Sequence, residues 1–309
     1  MISLSLLQGI VATLLLVELI LGHVANGFIA LVYCIDWIKR QKISSADIIL
    51  TALAVSRIGL LWVILISWYA MTFNSFMCRL KVVIVIAWVV TNHFSMWLAT
   101  CLSIFYLLKI ANFSNLIFLH LKWKVERLIL VIMFGTLVIL GFQLAIVIRG
   151  ENMWKDDYEG NLTLKTKLCD IEHLSYLVGF NLAVFLPFTT SLTSLLLLIF
   201  SLGKHLKKMQ LNGKGLQDPS TKAHVKAMQT VISFLLLFAT YVLCLIISSW
   251  SSKMQQSKQI TMFCQAIGII YPSNHSFILI LVNQKLRQAS LSVLWWMRCW
   301  LKERKSSTP

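Results

Sequence analysis

Charge is scarce in this sequence. Charged residues make up only 13% of the 309-residue chain, while 58% of it is apolar. A soluble domain of that size needs far more polar surface to cover its core, so a water-soluble fold is excluded. Acids are the scarcer sign: twelve Asp and Glu stand against 28 Lys and Arg. Within the apolar runs the sole acid is Glu18. That lack removes the paired intramembrane carboxylates on which proton pumps and acid–base hydrolases depend. The histidines, at 23, 93, 120, 173, 205, 224 and 275, include no pair spaced for one metal on one helix, and no zinc-like Cys/His spacing occurs. No enzyme activity, metal or cofactor is therefore expected. Internal repeats are absent as well, and no helix carries a ladder of polar residues, which argues against an inverted-repeat transporter.

What is present is length in the apolar runs. About 20 residues at 1.5 Å each cross the hydrocarbon, so runs of about 18 or more are spanning candidates. Seven occur, near 6–34, 48–71, 83–108, 128–149, 176–203, 228–251 and 261–283. The expected fold is an all-α membrane protein, a single seven-transmembrane helix bundle over 1–309 with a cytoplasmic tail at 284–309. The first run lacks a basic n-region and is too long for a signal-peptide h-region, so it is read as retained helix.

The net charge of +16 is sorted by side rather than clustered for nucleic acid. With the N-terminus outside, one face gathers Lys39, Arg40 and Lys42, then Lys109, Lys122, Lys124 and Arg127. Lys204, Lys207, Lys208 and Lys226 follow, and the tail adds Lys285 and Arg287. The outer loops are nearly balanced, as in Lys155, Asp156, Asp157 and Glu159. The positive-inside rule then sets the N-terminus extracellular and the C-terminus cytoplasmic.

Two connections are long. The second outer loop, about 150–175, carries an N-x-[ST] sequon at Asn161 on the side where glycosylation occurs. The third inner loop, 204–226, pairs glycine breaks at Gly213 and Gly215 with an Asp218-Pro219 helix start. Two helices thus project past the membrane with basic surfaces, suited either to anionic lipid or to a cytosolic partner. In the tail, Leu286, Leu291, Leu294, Trp295 and Trp300 among basic residues indicate a short amphipathic helix on the inner leaflet, with Cys299 a palmitoylation candidate. Cys34, Cys101 and Cys244 read as packing residues. Cys78, Cys169 and Cys264 face the oxidising side, where a Cys78–Cys169 bridge would tie the third helix to the second outer loop.

One charge sits where none belongs. In "ILTALAVSRIGLLWVIL" Arg57 has no charged neighbour within nine residues on either side. A charge at the bilayer centre costs from about 3 to more than 10 kcal/mol depending on the method, so such residues are usually functional. At about 1.5 Å per residue, Arg57 lies roughly 15 Å above the inner end of its helix near Asp47. Asn26 on the first helix, and Ser273, Asn274 and His275 on the seventh, reach a similar height, whereas Glu18 is roughly 12 Å higher than Asn26. A cluster of Arg57, Asn26 and the 273–276 stretch follows, with neutral acceptors solvating the cation. Pro272 frees a carbonyl one turn earlier as a further acceptor. Such a cluster pins three helices together, and it also has the makings of a switch.

The strings "GHVANGFIALV", "QKISSADIILTALAVSRIGLLW", "NHFSMWLATCLSIFYLLKIANFS", "LPFTTSLTSLLLLIFSLGKHLKKMQ" and "HSFILILVNQKLR" closely resemble the bitter taste receptors (taste receptor type 2), which are G-protein-coupled receptors. The resemblance covers nearly the whole chain. Rhodopsin-like signatures are missing: "FYLLKIA" stands where Asp-Arg-Tyr would, and Arg57 occupies the place of the second helix's acid.

The resemblance implies a plasma-membrane receptor for bitter small molecules, signalling through a gustducin-type heterotrimeric G protein. It places a ligand cavity in the outer half of the bundle, at positions matching Trp68, Trp88, Asn92, Met96, Tyr241 and Gln265. Trp88, Asn92 and Met96 fall at i, i+4 and i+8 on one helical stripe, which is otherwise the pattern of ordinary packing. Several relatives carry Glu where this chain has Gln265, which implies a weaker preference for cationic ligands here. Another departure is His23, where relatives usually show Asn. The resemblance assigns G-protein contact to Lys109, His205, Lys208, Gln210 and Lys226. The alternatives are an orphan or weakly signalling receptor of the same fold, or a transporter.

Overall fold

The computed structural model describes residues 2–73, 78–156, 162–211, 219–251 and 257–306, with side chains outside 1–8, 71–81, 150–180, 212–220, 223, 252–259, 301 and 303–309. Asn161 lies outside the described residues, as do the side chains of Cys78 and Cys169.

The described chain is helical throughout its regular structure. The elements are α1 (Ile2–Ile38), α2 (Ser45–Phe73), α3 (Cys78–Ile110), α4 (Leu116–Trp123), α5 (Val125–Asp156), α6 (Leu162–Leu211), α7 (Pro219–Ser251), α8 (Ser257–Gly268), α9 (Ile270–Val282) and α10 (Gln284–Ser306). Seven spans among the described residues are long and apolar enough to cross a membrane, α8 and α9 together forming the seventh (Ile260–Val282). That span has the lowest mean hydropathy of the set, 1.3, because polar residues crowd its middle. The seventh span is interrupted at Ile269. Proline has no N–H, so Pro272 cannot donate to the carbonyl of Gly268, and one rung of the helix is missing there, although Ile269 keeps helical dihedrals and its bond to Gln265 O.

Lipid offers no hydrophobic drive for one helix to leave it for another, so close approach and polar contacts hold the bundle. Gly22 permits one such approach: a Cβ there would stand 2.5 Å from Ser273 Oγ and 2.8 Å from Leu61 Cδ1. That brings α1 against α9 and α2. Between α3 and α6, Thr100 Oγ1 donates to Pro187 O at 3.0 Å and accepts from Ser191 Oγ at 2.9 Å. The central core joins Ile29, Leu50, Leu53, Leu102, Phe238 and Tyr271 from five spans. A second apolar cluster fills the outer half around Leu15, Leu60, Leu61 and Ile269, with Trp68 and Trp88 packed on it.

The helix ends around Asp36, Asp47 and Ala111 hold two features that the sequence does not announce. First, the connection after α3 contains α4, N-capped by Asn115, whose side chain accepts from Ile117 N at 2.9 Å. Lys122 then reaches back, Nζ donating to Ala111 O and Asn112 Oδ1, each at 3.1 Å, and so satisfies a carbonyl at the end of α3. Second, Lys285 forms ion pairs with Asp36 at 2.7 Å and Asp47 at 3.7 Å, tying the start of α10 to α1 and α2. Asn283 stabilises that corner, its Oδ1 accepting from the backbone N–H of Lys285 and Leu286 while Nδ2 donates to Tyr33 Oη at 3.2 Å. The tail helix α10 exposes Leu291, Leu294, Trp295, Trp296 and Trp300.

Candidate functional site

The interior of the bundle carries a cavity in its outer half and a cationic cluster below it. The cavity, about 200 Å³, is lined by residues of α2 (Ile64, Ser67), α3 (Ile84, Val85, Trp88), α7 (Tyr241, Cys244, Leu245, Ser248) and α8 (Cys264, Gln265, Gly268). Its walls are mainly apolar and aromatic, with a few placed polar groups, which is the chemistry of a small-molecule pocket. Gln265 supplies one of those groups: its Oε1 is buried and has no hydrogen-bond partner among the described residues. That oxygen is an acceptor available to a donor entering the cavity.

Three of the ligand positions drawn from the resemblance (Trp88, Tyr241 and Gln265) line the cavity. The other three do not. Trp68 packs in the outer apolar cluster instead. Asn92 lies behind Tyr241, accepting from its hydroxyl at 2.5 Å while its Nδ2 approaches Met96 Sδ at 3.7 Å. Met96 is buried in the central core. The stripe therefore runs downward from the cavity wall rather than along it.

Below the cavity, Arg57 is fully buried. Its Nη1 donates to Ser276 Oγ at 3.1 Å and its Nη2 meets His275 Nδ1 at 2.7 Å. Because an arginine only donates, His275 Nδ1 accepts, which leaves the imidazole neutral with its proton on Nε2. Ser276 Oγ passes the chain on to Asn26 Oδ1 at 2.7 Å, and Asn26 Nδ2 donates to Pro272 O at 3.2 Å. The Tyr271 ring covers the guanidinium, 4.9 Å from its centroid. A hydrogen bond to a charged group contributes roughly 1.5–3 kcal/mol, and a desolvated cation–π contact about 2. Two of the first and one of the second exceed the lower range of costs for placing this charge in a membrane and fall short of the upper range.

The cluster brings Arg57, Asn26 and His275 together through Ser276. Ser273 belongs to the same helix packing but points elsewhere, its Oγ donating to Glu18 O at 2.9 Å. The acceptor supplied around Pro272 is that residue's own carbonyl, which takes a bond from Asn26 Nδ2 and lies 3.0 Å from Ser276 Oγ as the longer of two acceptors for its one proton, rather than the carbonyl one turn earlier. Tyr271 was not singled out by the sequence reading. Its signal is its position beside Pro272, one helical turn before His275.

Aromatic rings join the two regions. Tyr241 stacks on Tyr271 at 5.0 Å, Tyr271 on Phe238 at 5.2 Å and on His275 at 5.9 Å, and Phe234 lies 4.4 Å from His275. Tyr241 thus has one side on the cavity and the other on the ring that covers Arg57.

At the end of the bundle opposite the cavity, Lys109, His205, Lys208, Gln210 and Lys226 are all exposed. They stand at the ends of α3 and α6 and the start of α7, and Lys109 Nζ lies over the Phe105 ring at 5.7 Å.

The match with known proteins is extensive. The family model for taste receptor protein (TAS2R) matches residues 3–298. The chain belongs to the taste receptor type 2 family. Taste receptor type 2 member 20 is 58% identical over 307 residues in both Homo sapiens and Gorilla gorilla gorilla, covering 99% of this chain and 99% of each relative. Human taste receptor type 2 member 19 is 59% identical over 291 residues, 93% of this chain and 97% of that one. A taste receptor type 2 identity makes this a receptor rather than a member of an enzyme family.

Proposed function

We propose that this taste receptor type 2 protein is a plasma-membrane G-protein-coupled receptor for bitter small molecules, with the N-terminus extracellular and the C-terminus cytoplasmic. It signals through a gustducin-type heterotrimeric G protein. The ligand enters the cavity bounded by Trp88, Tyr241 and Gln265. The observation that carries the reading is the shared position of Tyr241, whose ring lines the cavity and stacks on Tyr271, itself seated over Arg57. A ligand that displaces Tyr241 alters the packing around Arg57, and with it the arrangement of the first, second and seventh spans. For such a ligand to activate, it must bind one arrangement of the helices more tightly than the other.

Uncharged Gln265 and the apolar walls favour neutral ligands that carry a hydrogen-bond donor. The exposed Lys109, His205, Lys208, Gln210 and Lys226 form the proposed G-protein contact. Asn161 is the proposed glycosylation site, Cys78 and Cys169 the proposed disulfide, and α10 the proposed contact with inner-leaflet lipid.

Calcium flux in cells carrying a gustducin-tailed G-protein chimera, challenged with a panel of bitter compounds, tests the proposal. Responses that vanish with Tyr241→Ala at unchanged surface expression support it. A well-expressed receptor silent to the whole panel supports the reading as an orphan or weakly signalling receptor, and ligand uptake independent of G protein would make it a transporter.

A further inference from the structure

Two histidines far apart in sequence meet at the inner end of the bundle. His205 lies on the last turns of α6 and His224 on the second turn of α7, and their ring centroids are 4.7 Å apart with planes inclined by 37°. His205 is exposed and His224 half-buried, so solvent reaches the pair. Two imidazoles that ligate one tetrahedral ion at about 2.1 Å place their ring centroids roughly 5 Å apart, which is close to the spacing of these two rings. One turn before His224, and on its face at i−3, Thr221 is fully buried with Oγ1 lacking a hydrogen-bond partner among the described residues. A hydroxyl in that position suits a water held by an ion at the histidines.

We infer that His205 and His224 form a metal site that clips the cytoplasmic ends of α6 and α7 together, and that the ion is a borderline transition-metal cation such as Zn²⁺ or Ni²⁺. Among the described residues no group of three or more His, Cys, Asp or Glu is gathered for a metal, so the two imidazoles are joined by water in the remaining positions. The surroundings decide which ions are suitable. Lys204, Lys207, Lys208 and Lys226 are exposed nearby and oppose any cation. Mg²⁺ and Ca²⁺ need oxygen ligands, and no carboxylate is part of this pair, so neither ion offsets that repulsion. Zn²⁺ and Ni²⁺ bond well to neutral imidazole, and salt at physiological strength screens the lysines beyond about 8 Å. The consequence is mechanical: a bound ion fixes the separation of two helix ends that carry proposed G-protein contacts. The site itself does not depend on that proposal.

The test uses the full-length receptor in lipid nanodiscs, titrated with ZnCl₂ and with NiCl₂ by calorimetry and by thermal unfolding. The inference expects one strongly bound ion per receptor, a raised Tm, and no effect of MgCl₂ or CaCl₂. His205→Ala and His224→Ala should each weaken binding more than about tenfold, since even outer-shell changes at metal sites cost 10–100-fold. His120→Ala, altering an exposed histidine on α4, should leave binding unchanged. His205→Gln and His224→Gln serve if an alanine variant does not fold. Equal binding by wild type and both pair variants overturns the inference, as does a loss confined to His120→Ala.

Discussion

The Tyr241 hydroxyl donates to Asn92 Oδ1 at 2.5 Å, joining α7 to α3 directly beneath the cavity. Both residues are buried. Tyr241→Phe keeps the ring on the cavity wall and removes only this bond, leaving Asn92 short of a donor. A buried hydrogen bond contributes roughly 0.5–1.5 kcal/mol, so the balance between receptor states should move by about two- to twelvefold. Concentration–response curves for a confirmed agonist, with basal signalling recorded alongside, would measure it. A variant identical to wild type in both would remove this bond from the switching path.

Arg57 separates anchoring from switching. Arg57→Met strips donors from Ser276 Oγ and His275 Nδ1, each buried, at about 1–3 kcal/mol apiece. Reduced thermal stability of the purified receptor is expected, together with a lost or much weakened ligand response. Arg57→Lys should rescue little, since one ammonium cannot span both acceptors and lie flat under Tyr271. Full ligand response in a well-expressed Arg57→Met receptor would confine the cluster to anchoring.

Gln265 offers a test of ligand charge. Gln265→Glu puts a carboxylate on the cavity wall, and responses to tertiary amines should appear or gain at least tenfold in potency. An unchanged ligand spectrum across a panel of neutral and cationic compounds would show that Gln265 does not meet the ligand.

The glycines give a paired stability test. Gly22→Ala drives a methyl into Ser273 Oγ at 2.5 Å and Leu61 Cδ1 at 2.8 Å, whereas a Cβ at Gly27 meets nothing within 4 Å. Overpacking typically costs about 1–3 kcal/mol. Gly22→Ala should lower Tm by several degrees, and Gly27→Ala, gaining helix propensity, should leave it unchanged or slightly raised. Thermal unfolding in the same detergent compares them.

Lys285 makes a smaller prediction. Its side chain is about one-third exposed, so its pairs with Asp36 and Asp47 are partly screened and together contribute on the order of 1 kcal/mol. Lys285→Ala should barely change global stability yet speed amide exchange at the start of α10. Unaltered exchange there would mean that Asn283 alone holds the corner.

Much of this was legible in the sequence because a membrane simplifies the physics. Spanning length and the positive-inside bias act on composition, so the seven runs stand out without any knowledge of packing. Height along a helix is equally simple, and it brought Arg57, Asn26 and the 273–276 stretch together. Rotation about the helix axis is harder to read. Trp88, Asn92 and Met96 share a stripe, but eight residues descend about 12 Å, and the cavity reaches only the top of it. Contacts set by tertiary packing left no trace either: Tyr271 over Arg57, Lys285 between Asp36 and Asp47, and His205 against His224 each join residues distant in sequence. The short helix α4 was missed because eight residues, all without a buried side chain, give no apolar period to detect.

The seventh span divides its labour on either side of Ile269. The outer piece, α8, carries Cys264, Gln265 and Gly268 to the cavity, while the inner piece, α9, carries Tyr271, His275 and Ser276 to the arginine. The two sets of residues lie on successive stretches of one span, so substitutions that reshape the cavity wall in α8 fall on different side chains from those that hold Arg57. Chemical repertoire and conformational machinery thus become separately adjustable within one membrane crossing.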